Sequence, residues 1–128
     1  MIVTGLVLAG IAALIHVYIF YLESFAWTTP RAHATFGTSE DEARVTRGMA
    51  FNQGFYNLFL AAAVFVGIVF VAAGQTAIGA TLVFTGAGSM AAAALVLLLP
   101  SPDKRGAALK QGVIPALGVI ALSTGLAV

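Results

Sequence analysis

The chain has 128 residues, of which 60% are hydrophobic and 9% charged, whereas a soluble globular domain carries about 25% charged residues. A mean hydropathy of +1.00 and a net charge of +1 exclude an ordinary soluble globule and offer no basic face for a nucleic acid. The absence of cysteine removes disulfides, thiolate metal sites and thiol nucleophiles together.

Four runs are long and apolar enough to cross a hydrocarbon core of ~30 Å: Ile2–Leu22, Met49–Ala73, Thr76–Leu99 and Ala107–Val128. Nothing alternates with period two over the ~10 residues that a transmembrane β-strand needs. The predicted fold is an all-α bundle of four transmembrane helices in a single integral membrane domain, residues 1–128. The expected helices are approximately 2–27, 40–73, 76–99 and 107–127.

The first run could be mistaken for a signal peptide. It lacks a basic n-region and a small-x-small cleavage site before Glu23, so it reads as a mature helix. At 100° per residue, His16, Phe20, Glu23 and Trp27 share one face of it. Glu23 has two readings: an interfacial residue beside the belt aromatics Tyr21 and Trp27, or a buried functional carboxylate. His16 lies about 10.5 Å deeper along the helix than Glu23, so the two act together only through a group from another helix. The plainer account of His16 is a ring that makes one interhelical hydrogen bond.

Thr28–Arg47 is the one sizeable hydrophilic stretch. Thr29-Pro30-Arg31 reads as a cap with proline at the first helical position, and Gly37 ends that short helix. Ser39-Glu40-Asp41-Glu42 is a capping box, and Glu40 to Arg44 has the spacing of an (i, i+4) pair. The second long helix therefore starts near Glu40, outside the membrane, and runs unbroken into Asn52-Gln53-Gly54-Phe55-Tyr56-Asn57. Asn52, Gln53, Tyr56 and Asn57 fall within about 140° of one another. Lipid offers no hydrogen bonds, so such a face should turn towards protein, water or a ligand.

Ala73-Gly74-Gln75 reads as an uncharged turn. The third long helix carries a Thr81, Thr85, Ser89 stripe, whose hydroxyls can satisfy themselves on i−4 carbonyls. Its Gly79, Gly86 and Ala93 recur at intervals that allow close helix packing. Pro100–Gly106 forms the second charged loop. The last helix opens with Lys110 and Gln111, and its Pro115 either shapes a cavity wall or is a tolerated kink.

All six basic residues, Arg31, Arg44, Arg47, Lys104, Arg105 and Lys110, fall on one side of a four-crossing topology. The positive-inside rule makes that side cytoplasmic and both termini external. The expected location is a bacterial plasma membrane. Counting depth from Arg47 and from Trp27 puts the polar faces of the first two long helices in one slab of the cytoplasmic leaflet. The candidate ligand-binding cluster is His16, Glu23, Trp27, Asn52, Gln53, Tyr56 and Asn57, with Gln111 approaching from the last helix. His16 and Glu23 are the catalytic candidates: a histidine and a carboxylate, backed by amides and a tyrosine, could supply a general base and an oxyanion or substrate clamp. No metal spacing, nucleophile motif or phosphate loop occurs, and no cofactor is indicated.

His16-x-x-x-x-Tyr21-x-Glu23, Trp27-x-Thr29-Pro30-Arg31, Phe36-Gly37 and Asn52-Gln53-Gly54-x-Tyr56-Asn57-x-Phe59-Leu60-Ala61 together resemble a small bacterial four-helix membrane family of unknown function. That resemblance spans most of the chain and implies fold and location, but no activity. Arg44-Val45-x-Arg47, Asn52 and Phe59-Leu60-Ala61 are also similar to the second-helix motif of the membrane-associated eicosanoid and glutathione metabolism proteins. That likeness implies a homo-oligomer, a trimer with a pocket in the cytoplasmic leaflet. This sequence departs from the motif by an asparagine one residue late, by Met49 in place of a histidine and by Phe55 in place of a glutamate.

Three classes of function fit these residues. One is a pocket protein that takes a small amphipathic or lipidic molecule from the cytoplasmic leaflet. The second is a subunit of an oligomeric transporter or channel, and the third a structural protein whose polar groups only join helices. Polar residues confined to one leaflet favour the first over the second.

Overall fold

The computed structural model describes residues 1–128. Five α-helices follow one another without a strand: α1 (Ile2–Ser24), α2 (Pro30–Phe36), α3 (Glu40–Ala72), α4 (Thr76–Leu98) and α5 (Arg105–Ala127), the last preceded by a 3-10 turn at Pro102–Lys104. Four of these elements, all but α2, are long and apolar enough to cross a membrane, and the chain is a multi-pass membrane protein with an all-α four-helix bundle.

Local chemistry accounts for the boundaries. α1 ends at Ser24, three residues short of the sequence expectation. The Tyr21 carbonyl accepts from both Phe25 N–H and Ala26 N–H, at 3.0 and 3.1 Å, so the helical ladder stops there. Pro30 forces its predecessor out of helical backbone, and Thr29 is extended, with φ −90° and ψ 155°. The Thr29 hydroxyl caps α2 by accepting from Ala32 N–H, and Gly37, left-handed at φ 65°, terminates it. Ser39 and Glu42 form both halves of the capping box on α3. Each N–H satisfied there is one that an uncapped helix start would leave open, and the cap stabilises by about 1 kcal/mol. Arg44 pairs with Asp41 rather than with Glu40. Both side chains are exposed, so that pair adds little.

The four long helices stand at the corners of a square. α1 and α4 each pack against α3 and α5, and barely meet across the diagonal. Lipid tails are as apolar as the helices themselves, so their association rests on close packing. Ala9, Ala12, Ala13, Ala61, Val64, Val83, Ala87, Met90 and Leu122 form the core. Glycines bring backbones together around it. A Cβ at Gly67 would sit 2.7 Å from the Gly79 carbonyl oxygen, and one at Gly86 would sit 2.8 Å from that of Leu60. On the other seam, Gly118 faces Ala9 and Gly5 faces Leu122.

Thr81 and Thr85 donate to the carbonyls of Ala77 and Thr81, each at 2.8 Å, so these two hydroxyls of the α4 stripe are satisfied within the helix. α5 continues without a break through the buried Pro115, which does not line the main polar cavity. Both termini and the Gly74 turn lie at one end of the bundle. α2 and the 3-10 turn lie at the other, tied by Lys104 Nζ donating to the Gly37 carbonyl at 2.7 Å. All six basic residues are on that second end.

Candidate functional site

At the end that carries the basic residues, the four long helices enclose a cavity of about 300 Å³. α1 and its exit contribute His16, Glu23 and Trp27; α3 contributes Gln53 and Asn57; α5 contributes Gln111. Ala93 and Leu97 of α4 form the far wall, and Phe36, Thr38, Lys104 and Ala107 close the end. Six of the eight residues singled out from the sequence are thereby brought together. The other two, Asn52 and Tyr56, are exposed and outside the cavity.

The reason for that correction is Gly54. It is buried against α1, where a Cβ would lie 3.0 Å from the Phe20 carbonyl oxygen and would collide with Ser24 Oγ. Ser24 Oγ also donates to the Phe51 carbonyl at 2.8 Å. This contact sets the rotation of α3 about its own axis. At 100° per residue, Asn57 lies about 60° and Gln53 about 100° from the Gly54 direction, both turned towards α4 and the interior. Asn52 and Tyr56 lie about 160° away, on the outer surface. The single polar face read from the sequence is therefore split in two by one glycine.

His16 is 2% exposed, the only buried polar or charged residue of the bundle. Its Nδ1 lies 2.8 Å from the Ala12 carbonyl oxygen. A carbonyl only accepts, so Nδ1 carries the proton and donates, and in the neutral ring Nε2 is an acceptor. Nε2 has no protein partner and stands at the cavity wall.

Asn57 joins α3 to α1, its Nδ2 donating to Glu23 Oε2 at 2.7 Å and to the Gln53 carbonyl at 3.3 Å. Both partners are acceptors, so the amide nitrogen must face them and Oδ1 must face away. No side chain bonds His16 and Glu23 at once. His16 Nε2, Glu23 Oε1 and Asn57 Oδ1 are left unused by the protein, as are the side-chain amides of Gln53 and Gln111.

Trp27 sits in the turn after α1, where its Nε1 donates to Thr46 Oγ1 at 3.1 Å and its ring tilts against Phe36, with centroids 5.3 Å apart. Thr38 was not foreseen. Its hydroxyl is buried without a partner and lines the cavity. His33 Nε2 is the other unpartnered buried atom, and His33 does not line the cavity. From the sequence, Phe36, Ala93, Leu97, Lys104 and Ala107 carry no expectation of a place in the site. The Phe36-Gly37 motif was the available signal for the closed end.

Of the twelve lining residues only Gln53 and Ala93 are exposed. The register set by Leu60 against Gly86, carried about two helical turns further along each antiparallel helix, brings these two level. The exposed edge of the cavity therefore lies between α3 and α4. No group of three His, Cys, Asp or Glu side chains is placed to hold a metal ion. The walls can accept hydrogen bonds at His16 Nε2, Glu23 Oε1 and Asn57 Oδ1, and donate them from the Gln53 and Gln111 amides and the Thr38 hydroxyl.

No curated protein and no solved structure matches the chain. A family model described as "Protein of unknown function (DUF1304)" matches residues 10–123, a span that contains every residue of the cavity, and the chain belongs to that family.

Proposed function

We propose that the protein binds a small amphipathic molecule from the membrane, with its polar end in the cavity and its apolar part leaving between α3 and α4. The observation that carries this reading is His16, a fully buried histidine whose Nε2 opens onto the cavity without a partner. A histidine serving only as interhelical glue would spend a ring nitrogen on another helix, whereas His16 bonds only within α1, to the Ala12 carbonyl.

The chemistry of the walls narrows the occupant. His16 Nε2, Glu23 Oε1 and Asn57 Oδ1 all accept, and the Thr38 hydroxyl is buried with nothing to bond. The Gln53 and Gln111 amides add unused donors, and a head group with several hydroxyls, which both donate and accept, complements the set. At about 300 Å³ the cavity is at the lower end of the range for small-molecule sites. The apolar remainder of the ligand would lie against Ala93 and Leu97 and in the bilayer. In this reading the six basic side chains mark the cytoplasmic end, in a bacterial plasma membrane with both termini outside. The cavity then draws on the cytoplasmic leaflet.

Native mass spectrometry of the protein isolated from its own membrane in mild detergent tests this. A bound species of defined mass is expected on the wild type and on Asn52→Ala, and at least tenfold less of it on Glu23→Gln, which keeps the side-chain shape. Equal retention by Glu23→Gln and wild type, or no bound species other than detergent and bulk lipid, would overturn the reading.

A further inference from the structure

A second recess lies on the opposite flank, between α1, α2 and α5, with a volume of about 320 Å³. Its polar groups are Arg31 and Thr35 of α2, Tyr18 of α1, and Lys110 and Gln111 of α5. Arg31 and Lys110 are both exposed, and the recess contains no carboxylate. The single ion pair of the whole protein is Arg44 with Asp41, so neither cation is neutralised. The Arg31 guanidinium donates to Tyr18 Oη at 3.4 Å, which stretches it across the recess towards α1.

Beneath these cations the walls become apolar. Ile15 and Ile19 line the recess. Ile11 continues the Ile15 and Tyr18 face of α1 towards the bilayer centre at (i, i+4) spacing, and Val113 and Leu117 continue the Lys110 face of α5 at (i, i+3) and (i, i+7). Ile11, Val113 and Leu117 are all exposed. Two unpaired cations at the level of an interfacial tyrosine, above an exposed apolar seam, match a lipid with an anionic head and acyl tails. Basic recesses between transmembrane helices bind anionic head groups in this way, and arginine matches a phosphate with two parallel N–H donors.

We propose that this recess holds the phosphate of an anionic membrane phospholipid between Arg31 and Lys110, with an acyl chain along the α1–α5 seam. The shared chemistry is a phosphate oxyanion, which a soluble phosphate could also offer. The apolar seam favours the lipid. This site is distinct from the cavity that opens between α3 and α4, although Phe36, Ala107 and Gln111 form a wall common to both.

Purified protein in mixed micelles of phosphatidylglycerol and phosphatidylcholine, read by native mass spectrometry, tests the proposal. The wild type should retain phosphatidylglycerol at least fivefold more than phosphatidylcholine. The double variant Arg31→Gln, Lys110→Gln should lose that preference, while Arg31→Lys keeps part of it and Glu23→Gln keeps all of it. Both charge substitutions are at exposed positions, and a thermal melt checks that the double variant remains folded. Equal retention of the two lipids by the wild type would overturn the proposal. So would an undiminished preference in the double variant, or displacement of phosphatidylglycerol by millimolar inorganic phosphate, which would mark the site as one for soluble phosphate.

Discussion

The two ends of this bundle are built on opposite rules. Towards the termini, Gly67 meets Gly79, Gly5 meets Leu122, and the helix backbones touch. The hydroxyls of Thr81, Ser123 and Thr124 there all bond to carbonyls one turn back. Towards the charged loops, close glycine contacts are confined to Gly54 against Ser24 and Gly112 against Ala94. Elsewhere Trp27, Phe36, Gln53 and Gln111 hold the helices apart around two recesses. Small residues remove space and polar groups together, whereas large ones with polar ends leave both.

The sharpest way to break this comparison is to ask which end lies in the cytoplasm. The chain has no cysteine of its own, so a single introduced thiol reports cleanly. Gln75→Cys at the terminal end should react with an impermeant thiol reagent in intact cells, and Asp103→Cys at the basic end should not, an all-or-none difference. The reverse labelling would invert the orientation and move both recesses to the outer leaflet.

Next in size is the packing of the terminal half. Gly67→Leu would drive a side chain into the Gly79 backbone and should cost about 3 kcal/mol or more, at the top of the overpacking range. Gly88→Leu, on α4 with nothing within 4 Å of its Cβ, should stay within about 0.5 kcal/mol. Thermal unfolding in detergent separates them, and similar losses for the two would show that the seam is not tightly closed.

In the loop half, Asn57→Ala removes the donor to Glu23 and should cost about 1.5 kcal/mol, the upper range of a side-chain hydrogen bond. Asn52→Ala, on the outer surface, should cost less than about 0.5 kcal/mol. Equal costs would contradict the rotation of α3 that Gly54 imposes. The smaller effect is at the start of α3, where Ser39→Ala should cost about 1 kcal/mol and Ser39→Asp almost nothing. Urea or thermal titration followed by circular dichroism measures both.

What could be read in advance was whatever depends on neighbours in sequence. The Thr29 cap, the Gly37 stop and the Ser39–Glu42 box are each decided within four residues, and the four apolar runs needed only their own length. The site was legible in part. His16, Glu23, Trp27, Gln53, Asn57 and Gln111 carry polar groups in apolar helices, and that cost alone marks them. Asn52 and Tyr56 carry the same signal and lie outside the cavity, because the rotation of α3 is set by a contact with Ser24 of another helix. Thr38 and Lys104 enter the site because two loops meet, through Lys104 Nζ and the Gly37 carbonyl. No local pattern records that meeting.

The central claim is that the acceptors of the loop half serve a ligand. A density map of the protein isolated from its own membrane, by crystallography or electron cryomicroscopy, tests it most directly. The account predicts an elongated feature that enters between Gln53 and Ala93 and ends in a polar group within hydrogen-bond distance of His16 Nε2 and Glu23. A cavity holding only water, with Nε2 bonded to a side chain of another helix, would contradict it.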